Sequence, residues 1–291
     1  MNNGEIKGYQ PVIIIGAGRS GTNMLRDTLA QLPGFGTWPC DEINYIWRHG
    51  NTRKVNDEFS PELATPRAKK FIQTKFNELA KAQNISYVVE KTCANSLRVG
   101  FINKVFPNAK FIWIIRDGRD VVASAQKRWT ASLDIPYILR KARFVPMADI
   151  PYYAYKYLGS RVYRFLSSER RLAFWGPKFN DMDEALKQYS LPEVCAMQWQ
   201  RCVEKADMEF SQLESERVLY LRYEDFVYNP ATELVKIRNF LQVDISEELS
   251  TKIVQDISKT NVGKWQDDLD ESILKLIYPI IEDTLRKHGY L

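Results

Sequence analysis

The sequence predicts an α/β domain of three layers, a parallel sheet carrying helices on both faces. Three observations predict it. Pro11 to Ile15 is a β-branched run closed at once by Gly16, the pattern of a strand buried on both faces of a parallel sheet. Strand-like and helix-like stretches then alternate along the chain. Finally, 291 residues with 45% apolar and 26% charged side chains supply a sizeable core and exclude a disordered or fibrous chain.

The elements follow in order. After the first strand comes Gly16-Ala-Gly-Arg-Ser-Gly-Thr22, and Asn23 to Leu32 reads as a helix with Met24, Leu25, Thr28, Leu29 and Leu32 inward, stopped by Pro33-Gly34. Tyr87 to Val89 and Lys110 to Ile115 read as strands around a helical stretch from Leu97 to Phe106. Val218 to Arg222 reads as another strand between helices over Glu193 to Leu213 and Ala231 to Leu241. Ala131 to Asp183 has no clean period and reads as helices and loops inserted on the sheet. No repeat or linker divides the chain, so residues 1–291 are expected to form one domain, with a helical and loop insertion over 131–190 shaping the acceptor site.

Composition narrows the function classes. Lys and Arg number 41 against 36 Asp and Glu, a net charge of +5 with no basic tail, which argues against a nucleic-acid coat and allows a local anion pocket. No apolar run approaches the ~20 residues of a membrane span, and the polar N-terminus has no signal-peptide core. Four cysteines without a CxxC pair read as buried free thiols of a reducing compartment, hence a cytoplasmic protein. Two histidines, His49 and His288, leave little material for a metal site.

The glycine loop admits three readings. Gly16-x-Gly18-x-x-Gly21 satisfies the dinucleotide fingerprint, with Asp41-Glu42 about 20 residues on. In that fold the acid ends a second apolar strand, whereas Gly34 to Cys40 is a poor one. As a nucleoside-triphosphate loop the glycine spacing fits, but Thr22-Asn23 stands where Lys-Ser/Thr belongs. What remains in Arg19-Ser20-Gly21-Thr22 is a cation, two hydroxyls and backbone N–H groups at a helix N-terminus, which bind a tetrahedral anion. A small-molecule kinase, a dinucleotide oxidoreductase or a non-catalytic nucleotide-binding module stay as alternatives at this point.

A second constellation is Arg116-Asp-Gly-Arg-Asp-Val-Val-Ala-Ser124-Ala-Gln-Lys-Arg128. Arg116 falls at the carboxyl end of a strand, where open α/β sheets bind ligands. Asp117 can cap the next helix, and Asp120, Ser124 and Arg128 share a face at i, i+4 spacing. Arg116, Ser124 and Arg128 could converge on a second phosphate; the ordinary alternative is a capped surface helix.

Together, the Gly18-Arg19-Ser20-Gly21-Thr22 loop after a buried strand and the Arg116-to-Ser124 motif about 95 residues later resemble the sulfotransferases that use 3′-phosphoadenosine 5′-phosphosulfate (PAPS). Arg19 stands where many members carry lysine, as in the tyrosylprotein and several bacterial branches. The resemblance continues through Glu90-Lys91-Thr92, Arg222-Tyr-Glu-Asp-Phe226 with Asn229-Pro230, and Gly263-Lys264-Trp265, covering roughly residues 11 to 290.

The resemblance implies a phosphosulfate-binding, P-loop-like loop and sulfuryl transfer from PAPS to a hydroxyl or amine of a carbohydrate, glycolipid, natural product, small molecule or peptide tyrosine, leaving the bisphosphate PAP. The first loop, including Gly18, Arg19, Ser20, Gly21, Thr22 and Asn23, would hold the 5′-phosphosulfate; Arg116, Ser124 and Arg128 the 3′-phosphate; Tyr223 and Lys264 the rest of the nucleotide. Sulfuryl transfer is an in-line displacement governed by alignment and charge stabilisation, for which Arg19 and Lys91 are candidates without a metal. Glu42 is the candidate base, held ionised by nearby cations. Asp41 is its substitute, and both acids could instead cap a helix over Ile43 to Trp47. His49, nearly two turns beyond Glu42 on a continuous helix, is the other candidate base. Trp199 reads as core, Tyr137 to Tyr163 as a wall of the acceptor pocket, and a homodimer is the default assembly.

Overall fold

The computed structural model describes residues 8–130, 146, 149–150 and 175–291. Most of the 131–190 segment, including the greater part of Tyr137 to Tyr163, therefore lies outside the described residues. The strands are β1 (Gln10–Ile15), β2 (Phe35–Gly36), β3 (Tyr87–Lys91), β4 (Lys110–Ile115) and β5 (Val218–Arg222). The helices are α1 (Thr22–Leu29), α2 (Asn44–Trp47), α3 (Pro66–Gln83), α4 (Val99–Val105), α5 (Gly118–Trp129), α6 (Met182–Gln188), α7 (Leu191–Phe210), α8 (Tyr223–Tyr228), α9 (Pro230–Leu241), α10 (Glu247–Val254), α11 (Trp265–Asp268) and α12 (Glu271–Lys287).

The five strands are all parallel, in the order β2-β3-β1-β4-β5. Alternation along β1 builds both outer layers. Ile13 and Ile15 enter a core with Phe76 of α3, Val121 of α5, Trp199 of α7 and Ile281 of α12. Val12 and Ile14 enter the opposite core with Leu25 of α1, Ile237 of α9 and Val254 of α10. All four strand residues are fully buried, each contributing about 1.5–3 kcal/mol of hydrophobic stabilisation. Three layers and a P-loop-like turn after β1 agree with the fold expected from the sequence.

The chain runs from β1 outward to β2 and β3, then crosses to β4 on the other side of β1. This reversal opens a crevice beyond the carboxyl ends of the strands. Gly16, Thr92, Arg116 and Tyr223 each follow the last residue of β1, β3, β4 and β5, so their positions around the crevice are consequences of topology.

Some local expectations need correction. The helix expected over Leu97 to Phe106 is present as α4 but starts later, at Val99, because a 3-10 turn over Cys93–Leu97 and Arg98 (φ −154°, ψ 40°) precede it. Asn95, Ser96 and Arg98 are buried there, and their polar groups require partners that a regular helix would not supply. Met24, expected inward, packs half-buried against the second core and also borders the crevice. Gly34 to Cys40, a poor strand as expected, contributes only the two-residue β2, paired with β3 at the sheet edge. All four cysteines are free thiols, and Cys40 is half-buried rather than buried. Among the described residues no helix is long and apolar enough to cross a membrane.

Candidate active site

The loop after β1 is shaped by its non-repetitive backbone. Arg19 (φ 73°) and Gly21 (φ 83°) both adopt left-handed conformations, which costs a side-chain-bearing residue about 1–2 kcal/mol. A Cβ on Gly21 would lie 2.7 Å from Tyr223 Cε2 and closer still to Cδ2, so glycine is required there on two counts. Gly18 lets the indole of Trp175 approach to 3.3 Å of where its Cβ would be. Gly21 also starts α1 without a side-chain cap, and the first turn holds no acid, leaving its N–H groups to an anion. Ser20 is buried, and its Oγ has no partner among the described residues.

Around this loop cations gather. Arg19 Nε donates to Ser124 Oγ at 2.8 Å, joining the two predicted motifs directly. Arg116 donates through Nη1 to the Arg19 carbonyl at 3.0 Å and through Nη2 to the Asn261 carbonyl. Its guanidinium lies 4.5 Å from the centre of the Tyr223 ring and 3.3 Å from Asp120, while its Nε has no hydrogen-bond partner among the described residues. Burial and then the neighbouring Arg128 and Arg116 push the Arg19 guanidinium below its ordinary pKa. Arg19 is thus partly buried with two further cations beside it, a setting that favours a multiply charged anion.

Asp120 has a role that its helical spacing does not reveal. It accepts from the backbone N–H groups of Gly263 and Trp265, both at 2.9 Å, and so fixes the turn carrying Lys264. Asp117 caps α5 through the Arg119 N–H at 2.9 Å, as expected. Trp199 is buried, also as expected, and its indole donates to the Arg116 carbonyl at 3.2 Å.

The acidic side of the site is built from β3 and the segment before α2. Glu42 Oε1 accepts from Lys91 Nζ and from the Cys93 N–H, both at 3.2 Å. Burial opposes the ammonium form of Lys91, but Cys93, Glu42 and Asp41 outweigh it and raise its pKa. Because burial pushes the Cys93 thiol up to about 12, the two carboxylates carry this effect at neutral pH. Neither acid caps α2, whose N-cap is Ile43 with no side-chain bond. Asp41 lies 3.7 Å from Arg26.

The structure brings Glu42, Lys91 and all the predicted nucleotide-site residues except Ser20 to one cleft of about 1570 Å³. Ser20 lies buried in the loop beside it. His49 is separate: it lines a different, smaller cavity, bonds Asp149 at 2.9 Å and stacks on Phe71. The short α2 ends at Trp47, so the face shared by helical spacing never reaches His49. Sequence reasoning did not select Trp175, Cys93 or Asn261 for the cleft; none carries a local pattern, and each is recognisable only through its neighbours in space. Among the described residues no group of three or more His, Cys, Asp or Glu side chains converges as a metal site.

Fold and cleft thus define an α/β protein that gathers a glycine loop and clustered arginines at the switch point of a parallel sheet. The sulfotransferase family profile matches residues 11–158, just over half of the chain. The chain belongs to that family and is a sulfotransferase. Solved structures of similar fold include the sulfotransferase domain from the curacin biosynthetic pathway, at 16% identity and TM-score 0.55, covering 93% of this chain and 97% of that one. The sulfotransferase domain of the Synechococcus PCC 7002 olefin synthase matches at 16% identity and TM-score 0.51, covering 94% and 95%. Mouse sulfotransferase SULT7A1, complexed with PAP, matches at 14% identity and TM-score 0.51, covering 95% and 85%.

Proposed function

We propose that this enzyme transfers the sulfuryl group of PAPS to a hydroxyl or amine acceptor, with Glu42 as the base. The observation that carries the donor assignment is the convergence of Arg19, Arg116 and Arg128 on one cleft beside the glycine loop. PAPS presents phosphate charge at two places, and the cleft offers cations and hydroxyls at two linked motifs. Ser20 Oγ and Arg116 Nε, without a hydrogen-bond partner among the described residues, also suit that donor, since buried polar groups are ordinarily paired. The PAP bound by mouse SULT7A1, a structure of the same fold, supports the same class of ligand.

In this reading Ser20, Thr22, Asn23 and the α1 N-terminus hold the phosphosulfate, and Gly18 and Gly21 let the backbone approach it. Arg116, Ser124 and Arg128 hold the 3′-phosphate, while Tyr223 supports Arg116 and Lys264 closes over the nucleotide from the turn tied to Asp120. The donor supplies an activated sulfuryl group for transfer. With its Nε committed to Ser124, Arg19 offers its Nη groups, and Lys91 adds an ammonium against the charge developing on the departing phosphate. Glu42 takes the acceptor's proton; as it does, its hold on Lys91 weakens and the ammonium is freed for that charge. The cations take the place that a divalent metal occupies in phosphoryl transfer.

A cytoplasmic homodimer acting on a small molecule, a carbohydrate, a glycolipid or a peptide tyrosine is the fuller proposal, the free thiols favouring a reducing compartment. The test is release of PAP from PAPS with a panel of phenol, sugar and amine acceptors, with and without EDTA. Acceptor-dependent release that survives EDTA and falls at least ~100-fold in Glu42→Gln is expected. Full turnover in Glu42→Gln would move the base to Asp41.

A further inference from the structure

Beneath the cleft, two chains of buried polar side chains leave one carboxylate and arrive at the residues that follow Glu42. Glu90, Thr92, Asn95 and Arg98 are all essentially inaccessible to solvent. Thr92 Oγ1 donates to Glu90 Oε1 at 2.6 Å and accepts from the Ile43 N–H at 3.2 Å. On the other oxygen, Asn95 Nδ2 donates to Glu90 Oε2 at 2.8 Å. Asn95 Oδ1 then accepts from Arg98 Nε at 2.9 Å, and Arg98 Nη2 donates to Asn44 Oδ1 at 2.6 Å.

From this geometry we propose that Glu90 is a positioning residue, which fixes the Glu42 carboxylate against Lys91 and Cys93 through Thr92 on one side and Asn95, Arg98 and Asn44 on the other. The inference rests on Glu42 being the base. Glu90 does not line the cleft; through Thr92 and through Asn95 and Arg98 it reaches positions one and two residues beyond Glu42. Glu90 and Lys91 are adjacent in β3, so the strand that presents the cation also roots the struts that place the acid. Ordinary core packing would satisfy a buried carboxylate locally. Here the bonds instead cross from β3 and the following turn to the start of α2, immediately after Glu42, which itself lies in the connection between β2 and α2.

The Cys93 amide, which donates to Glu42 Oε1 at 3.2 Å, reports the placement without donor or acceptor. Its hydrogen exchange should be followed by NMR relative to an amide of the central strand, such as Ile13. Thr92→Val, isosteric but without the hydroxyl, should accelerate Cys93 exchange about ten-fold, the value of one hydrogen bond. Glu90→Gln should accelerate it in the same direction, and Thr92→Ser should restore protection. In a Glu42→Ala background, Thr92→Val should add nothing, because both act on the same bond. Unchanged Cys93 protection in Thr92→Val and Glu90→Gln would overturn the proposal, as would an undiminished Thr92→Val effect in Glu42→Ala. If Glu42→Gln keeps full turnover while the exchange pattern holds, the choice of base fails and the positioning of Glu42 stands.

Discussion

Replacing Gly21 by alanine tests the glycine loop through its own physics. The backbone there is left-handed (φ 83°), so a Cβ costs about 1–2 kcal/mol before any contact is considered. That Cβ would also fall 2.7 Å from Tyr223 Cε2 and nearer to Cδ2. Tyr223 is buried against Gly21 and Arg116 and cannot yield freely, which adds an overpacking cost of about 1–3 kcal/mol. Gly21→Ala should therefore destabilise the protein by about 2–5 kcal/mol. The assay is urea unfolding followed by fluorescence and circular dichroism, with coincident transitions and an unchanged m-value required. In a Tyr223→Ala background the contact disappears and only the backbone part remains, about 1–2 kcal/mol. A neutral Gly21→Ala, or costs that add within about 0.5 kcal/mol in the double variant, would refute the argument.

Arg116→Ala and Ser124→Ala should each weaken PAP far more than 5′-AMP, by about 10–100-fold in calorimetry; equal losses for both ligands would reject the 3′-phosphate assignment. Asp120→Ala removes the acceptor of the Gly263 and Trp265 N–H groups, so limited proteolysis near Lys264 should accelerate and PAP affinity should fall, with Asp120→Asn intermediate. Glu90 gives a pH signature. Burial pushes its carboxyl up to about 7 against the opposing pull of Thr92, Trp47, Arg98 and Lys91. The native state therefore holds this proton more tightly than the unfolded chain, whose Glu titrates near ~4.3. Its contribution is fully present below that value and declines as pH rises towards about 7, by on the order of 3 kcal/mol. Urea midpoints measured from pH 4 to 8 should show that decline in the native protein and lack it in Glu90→Gln.

Much of the frame is legible because burial on two faces writes itself into sequence. β4 falls at the expected Lys110–Ile115, since a strand inside an all-parallel sheet asks for a continuous apolar run; β5 also falls at its expected Val218–Arg222, although this edge strand buries only Leu221. The loop and Arg116 are legible because a ligand-binding turn at a strand end combines glycines, cations and hydroxyls in a short span. What the sequence conceals are pairings across long separations. The Arg19 to Ser124 bond joins residues 105 apart, and Asp120 reaches Gly263 across 143; no periodicity reports either. His49 misleads for the opposite reason. Its spacing from Glu42 presumes a continuous helix, whereas α2 has only four residues and His49 leaves for Asp149. The turn from Cys93 to Arg98, ahead of α4, carries no periodic pattern, because its polar side chains are spent on the buried network under Glu42.

The central claim is that the arginine cluster and glycine loop are built for a nucleotide carrying phosphates at both the 3′ and 5′ positions. Calorimetric titration of the protein with PAP, beside ATP with Mg²⁺ and NAD, tests it most directly. The account predicts that PAP binds most tightly and does so equally well in EDTA. Preference for ATP or NAD, or no heat or thermal stabilisation with PAP, would contradict it.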